Sequence, residues 1–273
     1  MDYQTIDVRQ DGAVDWLTLN RPERLNTLTA RMVDELCDYF EGLKRDYGVR
    51  IVVMRGAGKA FCAGLDIKEH QTGRRMDEGR GALRPGPHLF DIVKLMRDCP
   101  QPIVALLHGP VCGGGMGMAL AADIRIAGES MRMNDAFVAL GRSGCELGVS
   151  YFLPRIVGLG VATELMYTGA FIGAARAREV GLVNKVAPDT AMEEAAREYL
   201  DAMLRTAPLG LRMTKQTLNT ALRVNDLLAV IDLERQAQMI CGAGPDFDEA
   251  MNAFLEKRAP RYASDPRVRE AAS

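Results

Sequence analysis

The chain has 273 residues, enough for one large domain or for a core with an appendage. Apolar residues make up 48% and charged residues 26%, ordinary for a globular protein, and a net charge of −2 supplies no basic field to draw it to nucleic acid or an anionic membrane surface. No apolar run approaches the roughly 18–20 residues of a membrane span, and Met1-Asp-Tyr-Gln-Thr-Ile6 lacks the basic and apolar stretches of an export signal, so the expectation is a cytoplasmic protein with no membrane partner.

In chain order, Val14 to Asn20 reads as a short apolar strand closed by Arg21-Pro22. Thr29 to Tyr47 reads as a helix, with Thr29 as its N-cap and Met32, Leu36, Tyr39, Phe40 and Leu43 on one face. Ile51–Met54 and Ile103–Leu107 read as buried strands, each running into a glycine turn, and Ile124–Ile126 and Leu182–Val186 extend the set. Residues Gly73 to Pro87, rich in Gly, Arg and Pro, read as a mobile loop and a candidate pocket wall. From Thr190 onward the pattern is helical, over Ala191–Arg205, Gly210–Leu222, Asn225–Ile240 and Asp246–Lys257. Strand, glycine turn and helix in repetition predict an α/β core over 1–200, with a helical region over 201–273 that packs on a neighbouring subunit or caps its own core.

The six cysteines form no CxxC pair and the three histidines have no metal-ligand spacing, which points to reduced thiols and no metal. Two glycine-centred turns each follow a strand: Lys59-Ala-Phe-Cys-Ala-Gly-Leu-Asp-Ile-Lys-Glu69 and His108-Gly-Pro-Val-Cys-Gly-Gly-Gly-Met-Gly117. Glycine allows close backbone approach, and a helix starting at a glycine cluster presents free N–H groups. The second turn lacks the Lys-Ser/Thr of a phosphate-binding loop. Taken singly, each turn suits close helix packing as well as ligand contact.

Taken together, with their flanks, the turns resemble the crotonase (enoyl-CoA hydratase/isomerase) superfamily. Further matching segments are Asn20-Arg-Pro-Glu-Arg-Leu-Asn26, Ala121-Ala-Asp-Ile-Arg-Ile-Ala127, Leu153-Pro-Arg-Ile-Val-Gly158, Ala177-Arg-Glu-Val-Gly-Leu-Val183 and Phe254-Leu-Glu-Lys257, so the resemblance covers nearly the whole chain. It implies a ββα spiral core, a C-terminal helical region that builds a homotrimer or a dimer of trimers, and a coenzyme A thioester as substrate, with no separate cofactor. It also implies an oxyanion hole made by the backbone amides of Leu65 and Gly114. Contacts to coenzyme A would come from Arg24 and Leu25, from the turn with Ala63, Asp66, Ile67 and Lys68, and from Phe254 and Lys257 of a neighbouring subunit.

The acids depart from the hydratase pattern. Where a hydratase of the family carries its two glutamates, this chain has Gly117 and Phe137, neither of which transfers protons. Glu146, in Gly144-Cys-Glu-Leu-Gly-Val-Ser-Tyr-Phe-Leu-Pro-Arg155, stands where dienoyl-CoA isomerases and the PaaG-type isomerases of phenylacetate degradation carry an aspartate. One carboxylate suffices to shift a double bond: it takes a proton from C2 of a 3-enoyl-CoA and returns it at C4. Burial would bring such an acid to about 6–7, suited to that task. Read from its surroundings alone, Glu146 equally suits capping a helix near Gly148 or pairing with an arginine. Asp66 and Asp123 read as structural acids, Asp135 would share a strand face with the lost glutamate at residue 137, and Arg142 and Tyr151 are candidate pocket residues. The expected reaction is 3-enoyl-CoA isomerisation. Its rivals are hydration, hydrolysis of a carbon–carbon bond in a cyclic keto acyl-CoA, and acyl-CoA binding without catalysis.

Overall fold

Strands that are apolar on both faces must be covered on both. The computed structural model, which describes residues 3–71 and 89–265, arranges them so. The strands are β1 (Ile6–Asp11), β2 (Val14–Leu19), β3 (Ile51–Gly56), β4 (Ile103–Leu107), β5 (Pro110–Cys112), β6 (Ile124–Gly128), β7 (Arg132–Asn134), β8 (Ile172–Gly173) and β9 (Lys185–Ala187). The main sheet has the order β1-β2-β3-β4-β6-β9, parallel except for the β1–β2 hairpin, and β5-β7-β8 form a small second sheet. The helices are α1 (Ala30–Leu43), α2 (Ile67–Gln71), α3 (Leu89–Asp98), α4 (Gly114–Ala121), α5 (Val149–Thr168), α6 (Ala174–Glu179), α7 (Met192–Leu204), α8 (Pro208–Ala221), α9 (Leu227–Gly242) and α10 (Pro245–Leu255).

Side chains alternate across the sheet. Leu17, Leu19, Val52, Met54, Ile103, Ala105 and Leu107 face α1, α3 and α4, joining one buried cluster with Met32, Leu36, Phe40, Ile92 and Met96. Trp16, Val53, Val104, Leu106 and Ile126 face the other way, against Met192, Ala195, Ala196 and Leu200 of α7. Thr29 caps α1 as expected, accepting from the Met32 amide at 3.2 Å. The helix stops at Leu43 rather than Tyr47, and the strand expected over Leu182–Val186 is confined to Lys185–Ala187. Leu182 and Val183 are buried, but in the turn after α6, which burial alone does not distinguish from a strand. The loop expected over 73–87 lies outside the described residues.

The C-terminal helices are tied into this core by polar groups. The buried Lys215 of α8 donates to the carbonyls of Met96 (2.9 Å) and Gln101 (2.7 Å) and sits 3.1 Å from Asp123. The buried Arg50 donates to Asp265 at 2.6 Å and to the Thr206 carbonyl at 2.6 Å. Helix α5 runs 20 residues at hydropathy 1.2, long and apolar enough by length and composition alone to cross a membrane, but it contains no unbroken apolar run of that length. It carries Arg155 and Glu164, and its backbone is broken at Gly158 (φ 77°, ψ 161°).

Candidate active site

The two glycine turns meet backbone to backbone. Gly64, at φ 96°, lies so close to the second turn that a Cβ on it would stand 2.9 Å from the Cys112 carbonyl oxygen and 3.8 Å from the Gly114 nitrogen. A side chain at Gly64 would therefore force apart the two amides expected to work together. Leu28 donates to the Gly64 carbonyl (2.8 Å) and accepts from the Asp66 amide (2.9 Å), a bridge that spends the groups on either side of Leu65 and turns the Leu65 N–H away from it. Gly114 is the first residue of α4, where helix N–H groups have no partner within the helix. Gly113 before it takes φ 48° and donates to the Asn134 carbonyl at 3.1 Å, which anchors the turn to β7. Gly115 serves packing instead, since a Cβ there would stand 2.2 Å from the Cys62 carbonyl oxygen. The packing reading of the glycine cluster thus holds at Gly115.

The two positions where a hydratase carries glutamate are filled with apolar atoms. A Cβ on Gly117 would stand 2.7 Å from the Leu147 Cβ and 3.1 Å from the Leu147 carbonyl oxygen. Phe137 is buried, and its ring lies 3.5 Å from where a Gly113 Cβ would be. Leu147 reaches this position through a left-handed backbone, φ 49°, which is uncommon for a leucine and marks a locally over-determined conformation. It also lies 3.4 Å from a Cβ position on Gly114, so its side chain spans the floor beside the second turn.

Glu146 directly precedes Leu147 and is 7% exposed. Its carboxylate lies 3.2 Å from the half-exposed guanidinium of Arg142, so the arginine pairing considered from the sequence is present. Its neighbour Leu147 is the residue that packs against the second turn. Asp135 is wholly buried nearby. Burial pushes its carboxyl up, the hydrogen bond from the Phe137 amide lowers it and the Glu146 charge raises it, for a net value of about 6. The strand-face argument for Asp135 does not hold, because β7 ends at Asn134 and the chain turns before Phe137. Tyr151 is bound to the Leu222 carbonyl at 3.0 Å, and Asp123 is held by Arg97 and Lys215, so both are committed to the scaffold.

Of the residues expected to contact coenzyme A, Arg24, Leu25, Ile67 and Lys68 are exposed and Ala63 is half-buried, around the first turn. Leu25 has φ 50°, and its carbonyl accepts from the Ala63 amide at 3.0 Å, joining the two segments. The Asp66 carboxylate is committed to the scaffold: it pairs with Arg21 at 3.2 Å and accepts from Thr27 (3.1 Å) and the Glu69 amide (3.3 Å). Partial burial raises this group, and those bonds more than offset it, leaving it below the ordinary carboxylate range. Phe254, 80% exposed, and Lys257, at φ 55°, lie at the end of α10. Leu147 and Leu28, which shape the floor, carried no sequence signal of their role.

An enoyl-CoA hydratase/isomerase family model matches residues 9–265. The chain belongs to the enoyl-CoA hydratase/isomerase family. Within this family it is 33% identical to the 1,2-epoxyphenylacetyl-CoA isomerase of Escherichia coli over 249 residues, covering 90% of this chain and 93% of that one. It is 33% identical to the short-chain-enoyl-CoA hydratase of Clostridium acetobutylicum over 260 residues, covering 94% and 97% of the two chains. The crystal structure of an enoyl-CoA hydratase from Bacillus anthracis superposes with a TM-score of 0.88 at 32% identity, covering 96% of this chain and all of that one. The crotonase-like α/β fold expected from the sequence is therefore present, and the chain is an acyl-CoA enzyme of the hydratase/isomerase family.

Proposed function

We propose that this enzyme moves the double bond of a 3-enoyl-CoA to the 2 position, with Glu146 as the proton carrier. The observation that carries this reading is the filling of both hydratase acid positions, Gly117 beneath Leu147 and Phe137 against Gly113, beside a buried Glu146. Hydration by two glutamates needs one acid to activate water and another to deliver a proton, and neither has a place here.

The Glu146 carboxylate takes a proton from C2, and the electron pair moves into the thioester to give a dienolate. The amides of Leu65 and Gly114 stabilise the oxyanion, and the loss of one donor in a comparable site costs about 2.7–4 kcal/mol. Protonated Glu146 then delivers the same proton to C4, leaving the double bond between C2 and C3 and the carboxylate restored. Coenzyme A enters with the substrate, held around Arg24, Leu25, Ala63, Ile67 and Lys68. Phe254 and Lys257 complete the site from a neighbouring subunit of a homotrimer or a dimer of trimers. The six free thiols agree with a reducing, cytoplasmic setting.

Hydration is the second reading, favoured by the name of the Clostridium acetobutylicum relative. Incubation with 3-enoyl-CoA in deuterium oxide separates the possibilities. The proposal predicts conjugated product with the C2 proton carried to C4, and solvent deuterium at C4 only to the extent that protonated Glu146 exchanges before delivering it. Absence of conjugated product would overturn it, and absence of both product and C2 exchange would point to an acyl-CoA-binding role.

A further inference from the structure

Asp135 is a buried carboxyl that the isomerisation outlined above does not use. Its Oδ1 accepts from the Phe137 amide at 3.3 Å, while its Oδ2 has no hydrogen-bond partner among the described residues. That oxygen lies against the chain that leads into Glu146: a Cβ on Gly144 would stand 2.9 Å from it. The preceding residue, Asn134, accepts from the Gly113 amide, so one strand end holds both this carboxyl and the turn that presents Gly114. Among the described residues, Glu146 is the titratable group whose charge acts on Asp135. A buried, half-paired carboxyl is costly to a fold, and an amide of the same shape would cost less.

Its electrostatic effect gives it a use. Arg142, 3.2 Å from Glu146, favours the charged carboxylate and so weakens it as a base. A second carboxylate nearby acts in the opposite direction. We propose that Asp135 is a positioning residue for Glu146, whose negative charge offsets Arg142 and keeps Glu146 able to take up the C2 proton. This rests on Glu146 being the proton carrier. Asp135 is closed off from solvent, so it acts through Glu146 rather than on the acyl chain. Its own carboxyl is raised by burial and by Glu146 to about 6, and the role requires its ionised form.

The test compares kcat and KM for 3-enoyl-CoA isomerisation, together with Tm, in wild type, Asp135→Asn, Arg142→Met, the double variant and Glu146→Gln. A shift of about one pKa unit in a base, at intermediate proton transfer, changes the rate roughly threefold. Asp135→Asn is therefore expected to lower kcat about threefold with KM little changed and Tm equal or higher. Adding Arg142→Met should restore most of that loss, because the charge that Asp135 offsets is then gone. A purely structural Asp135 would lower Tm and would not be rescued by removing Arg142. Wild-type kcat in Asp135→Asn, or no recovery in the double variant, overturns the proposal. Full activity in Glu146→Gln would remove the underlying reading instead, whereas an inactive Glu146→Gln beside a fully active Asp135→Asn would remove the role of Asp135 alone.

Discussion

Replacing Gly117 tests whether the first hydratase acid position is closed by packing or merely vacant. A Cβ at residue 117 would lie 2.7 Å from the Leu147 Cβ, against an optimum of about 3.5–4.0 Å for apolar carbons, an overlap of about 1 Å. Leu147 has little freedom to retreat, since its backbone is left-handed at φ 49° and its Cδ1 packs beside Gly114. Overpacking of this kind costs about 1–3 kcal/mol. For domains of 150–250 residues each kcal/mol is worth about 2–4 °C in Tm. Gly117→Ala should therefore melt measurably below wild type, and Gly117→Glu lower still, without gaining hydration of 2-enoyl-CoA. Adding Leu147→Gly, which suits the left-handed backbone, should recover stability and give the new glutamate room. The assays are thermal melts and loss of 2-enoyl-CoA absorbance. Wild-type melting of Gly117→Ala, or ready hydration by Gly117→Glu alone, would refute the reasoning.

Lys215→Ala removes the cation that two carbonyls and Asp123 share inside the fold, and breaking a buried pair of this kind costs about 3–5 kcal/mol. A urea midpoint within error of wild type would show that α8 is held by other contacts. Asp66 is depressed below its ordinary value of 3.8 in the folded chain, so its contribution is complete above that value and is lost as the pH falls through the lowered one. Asp66→Asn should therefore be less stable than wild type at neutral pH and converge with it in acid, which melts from pH 7 downward will check. Thr29→Ala removes the α1 cap and should cost about 1 kcal/mol in the same denaturation assay.

The central strands and α1 were legible because unbroken apolar runs and a period near 3.6 follow directly from burial. β1 was not, since Ile6-Asp-Val-Arg-Gln-Asp11 is an edge strand with polar residues facing out, and its one readable sign was the Asp11-Gly12 turn that pairs it with β2. The strand near Leu182 was misplaced because a buried turn and a buried strand share the same composition. At the site, the glycine turns were readable because close backbone approach leaves few residue choices. The leucine over Gly117 was not readable, since a left-handed conformation is disfavoured for leucine and nothing in the sequence announces it. Pairing of Glu146 with an arginine was one of the alternatives its surroundings left open, without saying which arginine. The position of Asp135 depended on where β7 stops, and strand ends are decided by tertiary contacts rather than by local propensity.

The most direct measurement is the ratio of 3-enoyl-CoA isomerisation to 2-enoyl-CoA hydration, taken for wild type and for Glu146→Gln under the same conditions. The account predicts that wild type isomerises far faster than it hydrates and that Glu146→Gln loses isomerisation while its Tm is kept. Hydration exceeding isomerisation in wild type, or isomerisation surviving in Glu146→Gln, would contradict it.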